Sequence, residues 1–120
     1  MASGEDLRRI ALSLPGVSEA PHFDRLAFRA ARIFTTLAAD RQSANIRFAP
    51  DEQEFKCLLA PEAFTPLKGG WGAAGWTRAE LAALSEEELH AALDIAYRHA
   101  QPKLKASRAI EKPPAKKRAR

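Results

Sequence analysis

Apolar positions recur along the chain with two periods, and the change of period separates helices from strands. The first helix is predicted where four apolar residues follow the helical spacing i, i+3, i+4, i+7: Leu7, Ile10, Ala11 and Leu14. Ser3 and Asp6 precede it as an N-cap, and Pro15-Gly16 ends it. A last helix is predicted from a second capping box, Ser85 with Glu88, to Gln101, because six residues form one apolar face: Leu89, Ala92, Leu93, Ala96, Tyr97 and Ala100.

Between residues 20 and 48 the period shortens to two, which is typical of half-buried strands. Leu26, Phe28 and Ala30 alternate with their neighbours, and a second strand is predicted in the β-branched and aromatic run 32–37. Asn45–Phe48 alternates again, and His22-Phe23 is assigned to a short edge strand. The connections near 31–32 and 39–42 are short. They favour an antiparallel meander over crossover units.

The segment after residue 48 combines a helix, a loop and a strand. Pro50 opens a helix in which Phe55, Leu58 and Leu59 share a face, and Pro61 ends it. The glycine-rich stretch 64–76, with Trp71 and Trp76, is predicted to be a loop folded back on the domain, because two large rings are costly to leave in water. Residues 76–81 are predicted to form the last strand.

Length and charge divide the chain into one α/β domain, residues 1–102, and a basic tail, residues 103–120. A length of 120 residues with 46% hydrophobic residues suits a single domain. The tail has eight basic residues and one acidic residue, Glu111, so its net charge is +7. Because the whole chain carries +4, the remainder carries −3. With Leu104 and Ile110 as its sizeable aliphatic residues, the tail is expected to be disordered. The acidic remainder weighs against a basic DNA-binding domain.

Several function classes are excluded by what the sequence lacks. No apolar run approaches the roughly 18–20 residues of a membrane span, and the N-terminus has an acidic flank where a signal peptide needs a basic one, so a cytoplasmic location is expected. Cys57 is the single cysteine and is interpreted as a small buried hydrophobe. The three histidines lack metal-ligand spacing. Neither a metal, a cofactor nor an enzymatic nucleophile–base pair is predicted.

The order of several short motifs resembles the MmcQ/YjbR family over roughly residues 5 to 100. They are Leu12-Ser13-Leu14-Pro15-Gly16-Val17, His22-Phe23, Ala27-Phe28-Arg29, Ile33–Leu37, Trp71-Gly72, Gly75-Trp76-Thr77 and Ala96-Tyr97. The resemblance implies an α+β two-layer sandwich, an antiparallel sheet with helices packed on one face. It also implies a DNA-binding label that rests on a proposed winged arrangement. Where the family usually has lysines, this chain has Arg32 and Arg47, which keep the charge but change its geometry.

Two candidate surfaces follow from the predicted strands and loop. If Leu26, Phe28, Ile46 and Phe48 face the helices, Arg29 and Arg47 face outward, with Arg32 at a nearby turn, and this face is suited to phosphates or a carboxylate. The alternative is a solvated face balanced by acidic neighbours: Glu19, Asp24 and Asp40. The second candidate is a ligand pocket formed by His22, Trp71 and Trp76. The alternative is that the two tryptophans are a lid on the core and that His22 is an ordinary surface residue.

The function predicted from these observations is a non-enzymatic binding module for DNA or RNA, with a monomer favoured. Flexible cations bind polyanions through counterion release without sequence selectivity. The tail is expected to contribute these contacts through Lys103, Lys105, Arg108, Lys112, Lys116, Lys117, Arg118 and Arg120. The alternative is a domain that binds a small molecule or a protein through the Trp71–Trp76 loop and the Arg29/Arg47 face.

Overall fold

The computed structural model describes residues 1–101, and its elements follow the predicted changes of period. Each of the two long amphipathic helices starts at a capping box, made by Ser3 with Asp6 and by Ser85 with Glu88, as predicted. In chain order the elements are α1 (Gly4–Ser13), β1 (Ser18–His22), β2 (Arg25–Arg29), β3 (Ile33–Leu37), β4 (Ser43–Arg47), α2 (Pro50–Leu59), β5 (Phe64–Pro66), α3 (Gly69–Ala73), β6 (Trp76–Glu80), a 3-10 turn (Leu81–Ala83) and α4 (Glu86–His99).

The six strands form one sheet in the order β1-β2-β3-β4-β6-β5, and every neighbouring pair is antiparallel. The first four strands are the predicted meander. After β4 the chain passes through α2 to the edge strand β5 and returns through α3 to β6, which pairs with both β4 and β5. The sheet is therefore a meander extended by one out-of-order edge strand.

Directly opposite residues of antiparallel strands lie on the same face, so the register defines two faces. Phe28 is opposite Thr35, Thr35 is opposite Ile46, and all three are buried. Helices α1 and α4 cover this face and close the core with fully or almost fully buried aliphatic side chains: Leu7, Ile10, Leu89 and Leu93. The fold is the predicted α+β class, an open antiparallel sheet with helices packed against it.

The sheet and its loops differ from the sequence prediction in two places. A β-bulge interrupts the pairing of β2 with β3, since Phe28 is opposite Thr35 whereas Arg29 is opposite Ile33. The extra residue, Phe34, is fully buried and meets the Tyr97 ring of α4 edge-on at 5.8 Å. The predicted loop 64–76 contains the strand β5 and the short helix α3. The predicted tail, residues 103–120, lies outside the described residues.

Candidate nucleic-acid interface on the open sheet face

Four arginines lie on the face of the sheet that α1 and α4 do not cover. We call this face the open face. The register places Ala27, Thr36, Asn45 and Arg78 in one row across four strands. The other three arginines of this face occupy alternate positions next to members of that row: Arg25 and Arg29 in β2, and Arg47 in β4. The prediction that Arg29 and Arg47 share a face opposite Phe28 and Ile46 agrees with this register.

Arg25 is held in place by the neighbouring strand. Its Nε donates to Thr36 Oγ1 at 2.8 Å, and its Nη2 donates to the Thr36 carbonyl at 3.3 Å. Burial lowers the pKa of Arg25, and the charge of Arg78 lowers it further, while Asp24 and Asp40 act in the opposite direction. None of the ion pairs within residues 1–101 includes Arg25. It is a partly desolvated cation fixed by neutral partners, and an anion would stabilise it.

The other three arginines are tethered to different degrees. Arg47 donates from Nε to the carbonyl of Ala74 at 3.3 Å. Arg78 donates from Nε to Glu80 Oε2 at 2.6 Å, in an exposed ion pair. The Arg29 side chain is exposed and forms no hydrogen bond or ion pair with the described residues. Each guanidinium has five N–H donors, so all four keep donors for a ligand.

Arg32 does not join this face. It lies in the turn between β2 and β3, and its Nη2 donates to the carbonyl of His99 at 3.0 Å, at the C-terminal end of α4. A cation there interacts favourably with the helix dipole, which gives Arg32 a structural role in joining the turn to α4. The sequence placed Arg32 at a turn near Arg29 and Arg47, and it lies in such a turn, directly after β2. Its role as a phosphate contact stays a prediction.

His22 and Phe23 lie at the tip of the β1–β2 hairpin. His22 pairs with Arg25 in the register, and its ring meets the ring of Phe23 edge-on at 4.8 Å. Phe23 is 95% exposed and has φ of 60°, which is uncommon for a bulky residue and is found where the surroundings impose it. The tip therefore presents two rings at the border of the open face, of which the sequence analysis singled out only His22.

Trp71 and Trp76 contact each other at the opposite end of the open face. Trp76 is opposite Arg47 in the register, and the two indole rings meet edge-on at 6.5 Å. Trp71 is 67% exposed and Trp76 is half-buried. The interpretation of both rings as a lid on the core is wrong for Trp71, because the short helix α3 carries it outward. The structure thus separates His22 from the two tryptophans instead of joining all three in one pocket.

Glycines bring α3 close to the sheet. Gly75 has φ of 104°, and a Cβ there would lie 1.8 Å from the carbonyl oxygen of Phe48. A Cβ on Gly72 would lie 1.8 Å from the carbonyl oxygen of Leu67. These close approaches require glycine and hold the backbone around Trp76 against β4 and β5. The Trp71–Trp76 pair is therefore mounted on a fixed segment.

Charge is divided between the two sides of the domain. Residues 1–101 contain eleven Lys and Arg against fourteen Asp and Glu. Many of the carboxylates belong to the first turns of helices: Glu5, Asp6, Asp51, Glu52, Glu86, Glu87 and Glu88. On the strands, the open face combines its four arginines with the carboxylate of Glu80. On its strands the open face therefore carries an excess of positive charge, which suits an anionic surface. Asp24 and Asp40, in the adjoining turns, act on Arg25.

The described residues offer little else for chemistry. Burial raises the pKa of the Cys57 thiol, which keeps it protonated at neutral pH and weakens it as a nucleophile. Within residues 1–101 no group of three or more His, Cys, Asp or Glu side chains is arranged to hold a metal ion. No helix in the same range has both the length and the apolar character needed to cross a membrane.

Fold and site define a small α+β domain with an arginine-lined open sheet. The model of the YjbR family matches residues 12–99, and the chain belongs to that family. The resemblance predicted from the motifs is confirmed. The solved structures include a similar fold, Deinococcus radiodurans protein DR2400 with its DUF419 domain, at a TM-score of 0.70 and 20% identity over 81% of this chain and 77% of that one. No curated protein matches the chain.

Proposed function

We propose that this YjbR-family domain is a non-enzymatic module that binds nucleic acid through the open face of its sheet. The observation that carries the proposal is the grouping of Arg25, Arg29, Arg47 and Arg78 on one face of a domain whose described part has a net negative charge. Guanidinium groups bind phosphate oxygens through paired N–H donors, and such contacts position a protein on a nucleic-acid backbone.

The anchoring of the arginines supports the proposal. Thr36 holds Arg25 and the carbonyl of Ala74 holds Arg47, so these two side chains lose less conformational entropy on binding than free surface arginines. Asn45 and Thr65 belong to the same row as Arg78 and add neutral donors. These contacts read the backbone, so we expect weak dependence on base sequence.

The exposed Trp71 adds to the face an aromatic ring on which an unpaired base can stack. Base–aromatic stacking contributes about 1–3 kcal/mol per base and tolerates any base. Trp76 is opposite Arg47 in the register, so a phosphate at Arg47 places the neighbouring nucleotide next to the tryptophan pair. We therefore expect single-stranded oligonucleotides to bind more tightly than duplexes of the same length.

The test is a fluorescence-anisotropy titration of labelled single-stranded and duplex oligonucleotides at several salt concentrations. The variant Arg29→Gln/Arg47→Gln removes two charges from the open face. Arg41→Gln/Arg98→Gln removes two charges from outside it and is the matched control, because those arginines pair with Glu5 and Asp94. We expect the face variant to flatten the log–log salt dependence by about 0.7–0.9 per lost contact and the control to leave it unchanged.

A chain ending at residue 102 separates the face from the tail, whose cations are expected to add their own phosphate contacts. We expect the shortened chain to retain binding with a smaller salt dependence, and to lose that binding when Arg29 and Arg47 are also replaced. If the shortened chain does not bind and the face variant of the full chain binds like the unchanged protein, the tail alone is the binding element. The assignment to the sheet is then wrong.

The alternative function is the binding of a small molecule or a protein at the Trp71–Trp76 pair. The observation that favours it is the exposure of Trp71 beside Trp76, which is opposite Arg47 in the register, since rings and a cation in one region suit a planar anionic ligand. Absence of binding to DNA and RNA at low salt, in both the full and the shortened chain, would exclude the nucleic-acid proposal. A change of tryptophan emission on addition of candidate ligands, lost in Trp71→Ala, would then support this alternative.

A further inference from the structure

Helix α2 presents an apolar stripe to solvent. Phe55, Leu58 and Leu59 have the spacing i, i+3, i+4 and are 58%, 75% and 70% exposed. Scattered surface aliphatic residues are ordinary, but three large ones grouped within two turns of a helix mark a contact surface. No described element covers the stripe, which we call the α2 stripe.

Polar contacts fix the orientation of α2, so the helix cannot roll its stripe into the core. Gln53 is buried and donates from Nε2 to the carbonyls of Gly72 at 3.0 Å and Trp76 at 3.1 Å. On the same helix, the Lys56 amine lies 5.4 Å from the centre of the Phe48 ring, on the side of the sheet that the helices cover. Rotating the stripe inward would break both hydrogen bonds of the buried Gln53 amide, which is costly.

The charges around the stripe favour a basic partner. Asp51 and Glu54 are exposed and lie one turn before Phe55 and Leu58, and neither carboxylate forms an ion pair with another described residue. Two copies joined stripe to stripe would bring these acidic groups together, which is unfavourable. A segment that combines aliphatic side chains with lysines or arginines complements both features.

The chain itself contains such a segment, and the topology brings it close. Helix α4 ends at His99, whose carbonyl is bonded to Arg32, immediately before β3. The start of β3 is at the same end of the sheet as the end of β4, from which α2 begins at Pro50. The chain therefore leaves the described domain at the end of the sheet where α2 starts.

We propose that residues 103–112 dock on the α2 stripe of the same chain. Leu104 and Ile110 contact the apolar residues, and neighbouring cations meet the carboxylates of Asp51 and Glu54. The nine residues from Gln101 to Ile110 span up to about 30 Å, which is about twice the length of the ten-residue α2, about 15 Å. A short tether gives a local concentration on the order of millimolar, so even a weak contact is well populated.

Paramagnetic relaxation enhancement on the full chain tests the docking. A spin label is attached at Ser107→Cys in a Cys57→Ala background, and backbone amide signals are compared between the oxidised and reduced label. We expect strong broadening of the amides of α2 and unaffected amides in β1 at the opposite edge of the sheet. Uniform or absent broadening of α2 overturns the proposal.

Three variants in the spin-labelled chain make the test specific. Asp51→Lys/Glu54→Lys reverses the acidic charges at the stripe, whereas Asp24→Lys/Glu87→Lys, the matched control, makes the same change elsewhere. Leu104→Ser/Ile110→Ser removes the aliphatic contacts but leaves the tail cations. We expect the first and third to abolish the broadening of α2 and the control to retain it. Retention after Leu104→Ser/Ile110→Ser, or equal loss in the control, overturns the proposal.

Mixing isotope-labelled chains without spin label with spin-labelled chains of natural isotope content separates contact within a chain from contact between chains. We expect no broadening of α2 in the mixture. Broadening there as strong as in the single labelled chain means that the tail of a second copy is the occupant, and the intramolecular proposal is then wrong. The measurement is made without nucleic acid, so a failure of the docking proposal is distinguishable from a failure of the proposed function.

Discussion

Helices α4 and α2 carry similar apolar spacing, and they differ in what those residues contact. Leu89 and Leu93 of α4 are completely buried between the sheet and α1, whereas Leu58 and Leu59 of α2 are largely exposed. The difference arises from neighbours: α4 lies over the central strands β3 and β4, and α2 lies at the edge strand β5, held there through Gln53. Helical periodicity therefore tells which residues share a face, and the position of the helix decides whether that face is buried.

The largest expected effect on stability comes from truncating one leucine in each helix. Leu93→Ala in α4 should lower the free energy of unfolding by about 2–5 kcal/mol, because it leaves a cavity in a closed core. Leu58→Ala in α2 should change it by no more than about 0.5 kcal/mol, because the side chain is 75% exposed. Urea denaturation followed by circular dichroism measures both values.

Running the same pair of substitutions in the chain ending at residue 102 sharpens the result. A cost of Leu58→Ala that is present in the full chain and absent in the shortened chain assigns the contact to the tail. A cost above 2 kcal/mol in both chains contradicts the placement of Leu58 at the surface.

The helix starts provide the next contrast. Ser85 accepts from the Glu88 N–H at 3.0 Å and Glu88 accepts from the Ser85 N–H at 2.8 Å, whereas Ala49 at the start of α2 has no side chain that can cap. Ser85→Ala should cost about 1 kcal/mol, and Ala49→Ser should add up to about 1 kcal/mol. Thermal denaturation measures both, with Ala82→Ser, in the exposed 3-10 turn, as the control for the added hydroxyl.

The two substitutions are expected to change the stability of the fold in opposite directions. A loss of stability on Ala49→Ser shows that the hydroxyl disturbs the start of α2 instead of capping it. A neutral Ser85→Ala shows that water replaces the cap and that burial alone holds α4 in place.

Much of the fold was predictable, because local signals agree with the final structure. The two capping boxes, the period-two alternation of Leu26 and Phe28, and the proline at the start of α2 each act within a few residues. The edge position of β5 and the bulge at Phe34 depend on pairing between distant segments. No short-range pattern in the sequence encodes such pairing.

The candidate site was predictable in part, for the same reason. Alternation identified Arg29 and Arg47, and it also contained Arg25, two positions before Ala27 on the same face, which the sequence analysis missed. Arg78 joins them only because β6 pairs with β4, a long-range event. The exposure of Trp71 depends on α3, a five-residue helix within a stretch whose glycines predict a loop.

The smallest expected effect concerns the pH dependence of stability. Helix α1, which packs with α4 on the sheet, is tied to β1 by Arg8, which donates from Nε to Glu19 Oε2 at 2.8 Å. This hydrogen bond, together with the charge of Arg8, holds the pKa of Glu19 below its ordinary value of 4.5. The acidic residues Asp51 and Glu54 of α2 have no such cationic partner among residues 1–101.

A carboxyl whose pKa is lower in the folded chain stabilises the fold above its unfolded pKa, and this contribution is lost as the pH falls through the folded value. We therefore expect stability to decline below about pH 4.5 and the decline to be shallower in Arg8→Gln, which removes the partner of Glu19. It should not vanish, since hydrogen bonds from Ser3 lower the pKa of Asp6 in the same range. Urea denaturation between pH 3 and pH 7 measures the slope. Lys68→Gln is the control, because it removes one positive charge that is in no described ion pair. An equal change of slope in both variants would assign the effect to net charge and not to the contact between α1 and β1.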